Sequence, residues 1–521
     1  MYTTDTSLIC NKFCGIKRGA SSFSNGVISA SDMQNVELFD TGINSGLGIR
    51  TMKGNTAVLS LPENEKIINV FESIQKSESH CFIHVESETE GKIYLYNFAS
   101  DNLVLKVDNL SLTGKSAGVD YAWGWSDLFV FSNGEELLSI ELGKLDENSE
   151  PDEVTIINSL DVEGNKVKGL GLVVFDGRLW IFDGIRLLFS VKENCYDFST
   201  SQDGIYTSAG FIEFSKQITA IAPYLGSLAV FHNNCSCLIS INDDFSYSKS
   251  GESPGGCAGM DALVFHGAQL YFYDDTKKSV FAFSQIINGE TTLVDNIAKD
   301  VQEELFSISS ANLDKIKMIS VVQSEHNEFW LLVPDEEESS VILIFDYIHS
   351  QWVKRRTQHL NSITLFNEKV YSAGNNKMFQ EYFGDDFDGE FIEAYYTCSP
   401  LNLAVDNTMK ILYIPPRITM DMTANNNFML QYVRDYDYMN KVKTKEIYTK
   451  NIKNIFRWDI SLWDEGDVWK PKNANSIKRL PISCFKTLEI KFYTKEVAEN
   501  EQAQGFAIKN IEFSRIKVKQ L

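Results

Sequence analysis

Histidines are the natural first candidates for metal ligands or general bases. The seven present, His80, His84, His232, His266, His326, His349 and His359, are dispersed through the chain. Only His80 and His84 are close, and they read as lying on either side of a break into a strand, a poor geometry for a shared metal. No serine sits in a nucleophile elbow, and neither a phosphate loop nor an HExxH motif occurs. The run Asp385-Asp-Phe-Asp-Gly-Glu resembles the start of a calcium loop but lacks the later bidentate acid, so it reads as a solvated turn. Cys10 with Cys14, or Cys235 with Cys237, would make half a zinc site. No second half follows at zinc spacing, and buried thiols are the expectation. Propeller glycosidases use two or three carboxylates, but the spacing of the 71 acids here singles out no pair. The chemistry-bearing residues therefore point to no catalytic residue, no cofactor and no metal.

Two groups remain as candidate binding features. Trp458, Trp463 and Trp469, interleaved with Asp459, Asp464 and Asp467, have the spacing of a carbohydrate-stacking surface, although packing within a β-domain explains them as well. The cations Lys441, Lys443, Lys445, Lys450 and Lys453 cluster in a lysine-rich stretch, and Arg50 with Lys53 forms a smaller basic loop near the start of the chain. Arg50, Lys53, Lys441, Lys443 and Lys445 are the residues expected to contact a partner.

The elements that position these residues are read from composition and repeats. A chain of 521 residues with 43% hydrophobic and 12% aromatic residues can bury more than one core. Its 34 Phe and 21 Tyr suit strands. No apolar run approaches the roughly 18 residues of a membrane span, and the first residues lack the basic-then-apolar order of a secretory signal. The nine cysteines are odd in number and scattered, which does not suggest a disulfide framework. The net charge of −23 is uneven: residues 398–521 hold 20 Lys and Arg against 14 Asp and Glu, leaving 28 against 57 before them. The front of the chain should repel nucleic acid, and the basic end can dock on an acidic neighbour.

One unit recurs between about residues 61 and 390: an apolar strand, a turn bearing Gly or Asn, and a second apolar or aromatic strand. Leu172-Val-Val-Phe-Asp-Gly-Arg-Leu-Trp-Ile-Phe-Asp-Gly is the clearest copy. The turn glycines Gly134, Gly177, Gly226 and Gly267 lie 43, 49 and 41 positions apart. A period of about 40–50 is that of a four-stranded propeller blade. About six or seven blades fit the span. In the hairpin from Glu328 to Arg355, Asp346, a turn and Trp352 finish a blade, with the tryptophan expected to wedge against the next one. A short helix is expected between Asp295 and Lys317, capped by Asp295, with Ile297, Val301, Leu305 and Phe306 on its apolar face. The fold class predicted is all-β: an N-terminal arm over 1–60 lying along a body or a partner subunit, a β-propeller over 61–390, and a C-terminal β-sandwich-like domain over 391–521.

This order of parts resembles the tail-nozzle (tail tubular protein B-like) and packaged-DNA stabilisation proteins of short-tailed bacteriophages. The similarity lies in Asn35-Val-Glu-Leu-Phe followed by Gly48-Ile-Arg-Thr-Met-Lys-Gly-Asn-Thr, in Val174-Phe-Asp-Gly-Arg-Leu-Trp and Asp197-Phe-Ser, and in the Ala222 to Phe231 repeat. It continues in Val341-Ile-Leu-Ile-Phe-Asp with Gln351-Trp-Val, and in Asp388-Gly-Glu-Phe-Ile-Glu-Ala-Tyr-Tyr-Thr. A recognisable long platform insertion is missing. The resemblance implies a structural virion protein without catalytic residues or cofactor, located in the tail below the portal. Several copies, six in the relatives, would form a ring that extends the DNA channel, retains packaged DNA and gates its ejection. Its partners would be other copies of itself, the portal or adaptor and neighbouring tail proteins, with DNA passing through without sequence-specific binding. A glycan-binding or glycan-cleaving propeller at a cell or particle surface is the alternative.

Overall fold

The computed structural model describes residues 6–519 apart from 18–25, 43–45, 124–125, 144–151, 201–206, 243–245, 286–290, 310–312, 314, 324–325, 335–338, 403–408, 413–414, 422–423, 425, 440–441, 449–474, 483 and 497–504. The fold is all-β: a seven-bladed propeller and one large additional sheet. Among the described residues no helix is long and apolar enough to cross a membrane. The chain divides into two compact units. One is Ala57–Ile342 with Thr357–Glu381; the other is Met1–Thr56, Leu343–Arg356 and Tyr382–Leu521.

The seven blades begin with the strands Lys66–Gln75, Ala117–Trp123, Gly171–Phe175, Ala220–Tyr224, Leu263–His266, Lys317–Val322 and Ser362–Phe366. Each is the first strand of an antiparallel sheet of four, the fourth blade carrying a fifth short strand, Ser253–Pro254. The seventh sheet takes Ser362–Phe366, Lys369–Gly374 and Lys377–Glu381 from one part of the chain and Asn55–Ser60 from the segment before the first blade. Blade number is thus seven, and one of its strands was invisible as a repeat because it stands alone in the sequence.

Hairpin geometry follows from the turn residues. Asp176 and Gly177 both have positive φ, 52° and 69°, as a two-residue turn between right-twisting strands requires. A Cβ on Gly177 would also meet the Trp123 ring at 2.8 Å, so the position is constrained twice. The cores lie between adjacent blades. Leu128 and Val130 of the second blade pack with Leu179 and Ile181 of the third. Trp180 and Leu187 of the third pack with Leu228 and Val230 of the fourth. Because both faces of a blade are covered, its central strands read as continuous apolar runs: all five residues of Ser227–Phe231 are buried.

The expected helix is a 3₁₀ turn, Lys299–Val301, continued by one α-helical turn, Gln302–Phe306. Its N-cap position is Ala298, three residues after the expected Asp295, and carries no side-chain cap; in the turn before it Asn296 Oδ1 accepts the Ala298 N–H at 3.0 Å. Val301 and Leu305 are buried as the spacing predicts, while Phe306 is exposed.

The second unit centres on a 15-stranded sheet. Along its main path lie Lys443–Tyr448, Asn427–Arg434, Thr487–Tyr493, Tyr395–Cys398, Val27–Gln34, Lys12–Ile16, Leu47–Thr51, Ala507–Lys519, Met409–Leu412 and Cys484–Phe485. Described strands between Thr6 and Thr51 and between Tyr395 and Lys519 therefore share one sheet. Trp352 is buried, its ring centroid 5.1 Å from that of Phe345 in a strand of the same sheet. Its carbonyl lies against strand Lys12–Ile16, where a Cβ on Gly15 would stand 2.2 Å from the Trp352 oxygen. The Gly15 N–H also donates to Gln351 Oε1 at 3.2 Å. Gly15→Ala is expected to destabilise this unit by about 2 kcal/mol or more, because backbone rather than a flexible side chain blocks the new methyl. Calorimetric unfolding should show the loss, with Gly251→Ala, which meets nothing within 4 Å, as the neutral comparison.

Candidate functional site

The first strands of the blades are neighbours around the propeller axis. The segments entering all seven line one cavity of about 370 Å³. Its wall includes Lys66 and Asn69 from the first blade, Lys115 and Ser116 from the second, Leu170 and Phe182 from the third and Thr219 from the fourth. Asp261 comes from the fifth, Lys315 and Lys317 from the sixth, and Asn361 from the seventh. A second cavity of about 200 Å³ shares Asn69, Ala117, Met260, Asp261 and Lys317 with it.

Lys317 opens the inner strand of the sixth blade and is buried. A buried ammonium needs partners, since desolvation of a charge is costly. Its Nζ donates to Asn69 Oδ1 at 2.7 Å and lies 3.6 Å from Asp261 Oδ2. Burial pulls the Lys317 pKa down, and Asp261 opposes that shift. Asn69 Oδ1 also accepts from Ser362 Oγ at 2.6 Å and from the Val70 N–H at 3.0 Å, while its Nδ2 donates to the Ser116 carbonyl at 3.1 Å. One amide thus joins the first, second, sixth and seventh blades.

Behind Ser116 lies His84, fully buried, with Nδ1 3.0 Å from Ser116 Oγ and Nε2 without a hydrogen-bond partner. Burial, reinforced by the Lys317 charge, pulls its pKa down to about 4. A serine beside a histidine invites comparison with a nucleophile and its base. This imidazole has no carboxylate on its other nitrogen and is hard to protonate, so the pair is poorly built to accept a serine proton near neutral pH. The arrangement instead presents ammonium groups toward a concave, partly apolar space.

His80 and His84 both lie in the unbroken strand Glu78–Glu86, not across a break. Asp386 Oδ1 accepts the Gly389 N–H at 3.0 Å, closing the acidic turn on itself, and Phe387 beneath it lies 4.8 Å from the Arg355 guanidinium. Among the described residues there is no group of three His, Cys, Asp or Glu placed to hold a metal ion, and Cys10, Cys14, Cys81, Cys195, Cys235, Cys237, Cys257 and Cys398 are free and buried.

Of the five cations expected to bind a partner, Arg50, Lys53, Lys443 and Lys445 lie among the described residues. Arg50 is paired with Glu37 and lies 5.7 Å from the centre of the Phe39 ring. Lys53 is exposed, and its carbonyl accepts from Arg355 Nη1 at 2.7 Å. Lys443 and Lys445 are exposed on the edge strand of the large sheet. Strand Leu47–Thr51, which carries Arg50, stands six places along that sheet. Lys441, Lys450, Lys453 and the three tryptophans Trp458, Trp463 and Trp469 lie outside the described residues.

The axial residues were missed from sequence because no local motif joins them. One signal was present: Lys66, Lys115 and Lys315 all stand at or just before the first strand of a blade. Aligning blades on their entry positions, rather than on their turn glycines, would have shown it.

No protein-family model matches the chain, and no curated protein matches it significantly. Among solved structures, the selenomethionine-substituted virginiamycin B lyase from Staphylococcus aureus is similar at a TM-score of 0.38 and 8% identity, covering 62% of this chain and 97% of that one. A likeness at that level bears on neither activity nor substrate.

The His84 environment gives a pH signature. An unfolded imidazole protonates near 6.5, whereas folded His84 resists protonation down to about 4. Its contribution is complete above about pH 6.5 and is lost as pH falls toward 4, where the unfolded state alone takes the proton. The loss amounts to roughly 3 kcal/mol at about 1.4 kcal/mol per unit. Urea unfolding between pH 7 and 4 should show this slope, and His84→Gln should flatten it. An unchanged slope would mean that His84 is solvated.

Proposed function

We propose that this chain is a structural protein of a short-tailed phage particle, forming a nozzle-like ring below the portal that retains packaged DNA and gates its exit. The observation that supports it best is the order of parts. A segment ending in Gly48-Ile-Arg-Thr-Met-Lys-Gly-Asn-Thr precedes a seven-bladed propeller, and Asp388-Gly-Glu-Phe-Ile-Glu-Ala-Tyr-Tyr-Thr then leads into Tyr395–Cys398 of the large sheet. These are the parts, in that order, on which the resemblance to the nozzle family rests.

Charge is consistent with the role. Residues 1–397 carry 57 acids against 28 Lys and Arg, and an acidic lumen lets phosphates slide rather than stick. Docking on an adaptor or neighbouring tail protein would use the basic end. Lys443 and Lys445 sit exposed on an edge strand, where unpaired backbone groups can also accept a second chain.

Quantitative mass spectrometry of purified particles tests the reading directly. A copy number near half that of the portal is expected, matching a six-fold ring under a twelve-fold portal. Absence from intact particles overturns the proposal. Within it, the double charge reversal Lys443→Glu with Lys445→Glu should leave the chain folded and block its incorporation. Normal incorporation of that variant would remove the basic edge from the docking surface.

A further inference from the structure

We propose that the axial cavity of the propeller is a binding site for a small, multiply charged anion, a molecule carrying clustered phosphate or carboxylate groups. This inference rests on the cavity and not on the virion reading.

The cavity concentrates cations within a strongly acidic part of the chain. Four lysines, Lys66, Lys115, Lys315 and Lys317, line it against two carboxylates, Glu86 and Asp261. Both carboxylates are engaged. Glu86 Oε1 accepts the N–H groups of Thr113 and Gly114 at 2.9 and 2.8 Å, and Asp261 stands beside Lys317. Lys66, Lys115 and Lys315 are exposed at the rim, while Lys317 is held in the wall by Asn69. Lys66 and Lys315 come from different blades, yet both bear on His359, whose imidazole is disfavoured as a cation by burial first and then by these two charges. Both also line the cavity.

Shape agrees with charge. A volume of about 370 Å³ falls in the range of small-ligand sites. Gly114 at the rim has a φ of +67° and nothing within 4 Å of its missing Cβ, so backbone there can approach a ligand closely. Among the described lining residues there is no arginine, and lysine acts as a point charge suited to clustered anionic oxygens rather than to one planar carboxylate. Concave low-dielectric walls focus that field into the cavity, where it can overcome the repulsion of the acidic body at short range.

The test is titration calorimetry of the full chain with sodium tripolyphosphate and with citrate. Saturable binding of one probe per chain is expected, weakening as sodium chloride is raised. The variant Lys66→Gln, Lys115→Gln, Lys315→Gln alters only exposed side chains and should weaken binding by about tenfold or more. Lys443→Gln with Lys445→Gln should leave it unchanged. As a readout independent of any variant, saturating probe should shield Lys66 and Lys315 from amine acylation, read by peptide mass spectrometry, and leave Lys443 and Lys445 reactive. The tighter of the two probes assigns phosphate or carboxylate chemistry. Absence of saturable binding by either, equal affinity in the triple variant, or shielding spread evenly over all lysines overturns the proposal.

Discussion

A blade apolar on both faces is stable only between two neighbours, and the propeller follows from that constraint. Trp180 is fully buried and Leu228 likewise, in facing blades. Each large side chain of this kind contributes about 1.5–3 kcal/mol by leaving water. An open row of such blades would leave two apolar end faces exposed, and closing the row into a ring removes both. The closure is not covalent. Strand Asn55–Ser60 joins the seventh sheet, and the Leu61 and Ile67 N–H groups donate to the carbonyls of Asn376 and Asn375 at 2.8 and 2.7 Å. Tyr96 of the first blade reaches the Val58 carbonyl at 3.0 Å. Loop-closure entropy grows only slowly with length, so joining segments more than three hundred residues apart costs little more than joining much closer ones.

Ring closure creates a second requirement at the axis. Seven inner strands converge there with backbone and side-chain polar groups that must find partners away from bulk water. Asn69 meets much of this requirement. Its oxygen takes Lys317, Ser362 and the Val70 N–H, and its nitrogen serves the Ser116 carbonyl. Since Ser362 belongs to the seventh blade and Asn69 to the first, this amide bridges the seam at which the ring closes. A polar network of this sort fixes register in a way that apolar packing alone does not, because a slipped blade would strand Lys317 without its acceptor.

What was legible in the sequence was local. Asp176-Gly177 announces a hairpin because positive φ at two successive residues limits the choice of side chain, and repetition of that signal revealed the propeller. The seventh blade's closing strand and the joint sheet of chain start and chain end were not legible, since pairing over hundreds of residues leaves no periodic trace. The start of the short helix was misplaced: its N-cap position is Ala298, three residues after Asp295, and a polar residue in the sequence does not show where the first turn closes. The axial site was hidden for a deeper reason. Lys66, Ser116, Lys317 and Ser362 are ordinary residues in sequence, and their chemistry exists only because seven blade entries meet at one point.

That origin also explains why a basic mouth inside an acidic body is informative. Surface acids spread over a large chain need no specific cause, since net charge of either sign favours solubility. Cations at the axis are different. Lys317 loses solvation there, and its retention requires both Asn69 and Asp261. Three further lysines, Lys66, Lys115 and Lys315, line the same cavity. Ring formation needs the blades to meet but does not need them to meet with like charges. Four lysines gathered at one cavity are therefore a feature that blade packing alone does not require, and an anion seated among them is the chemistry that would use it.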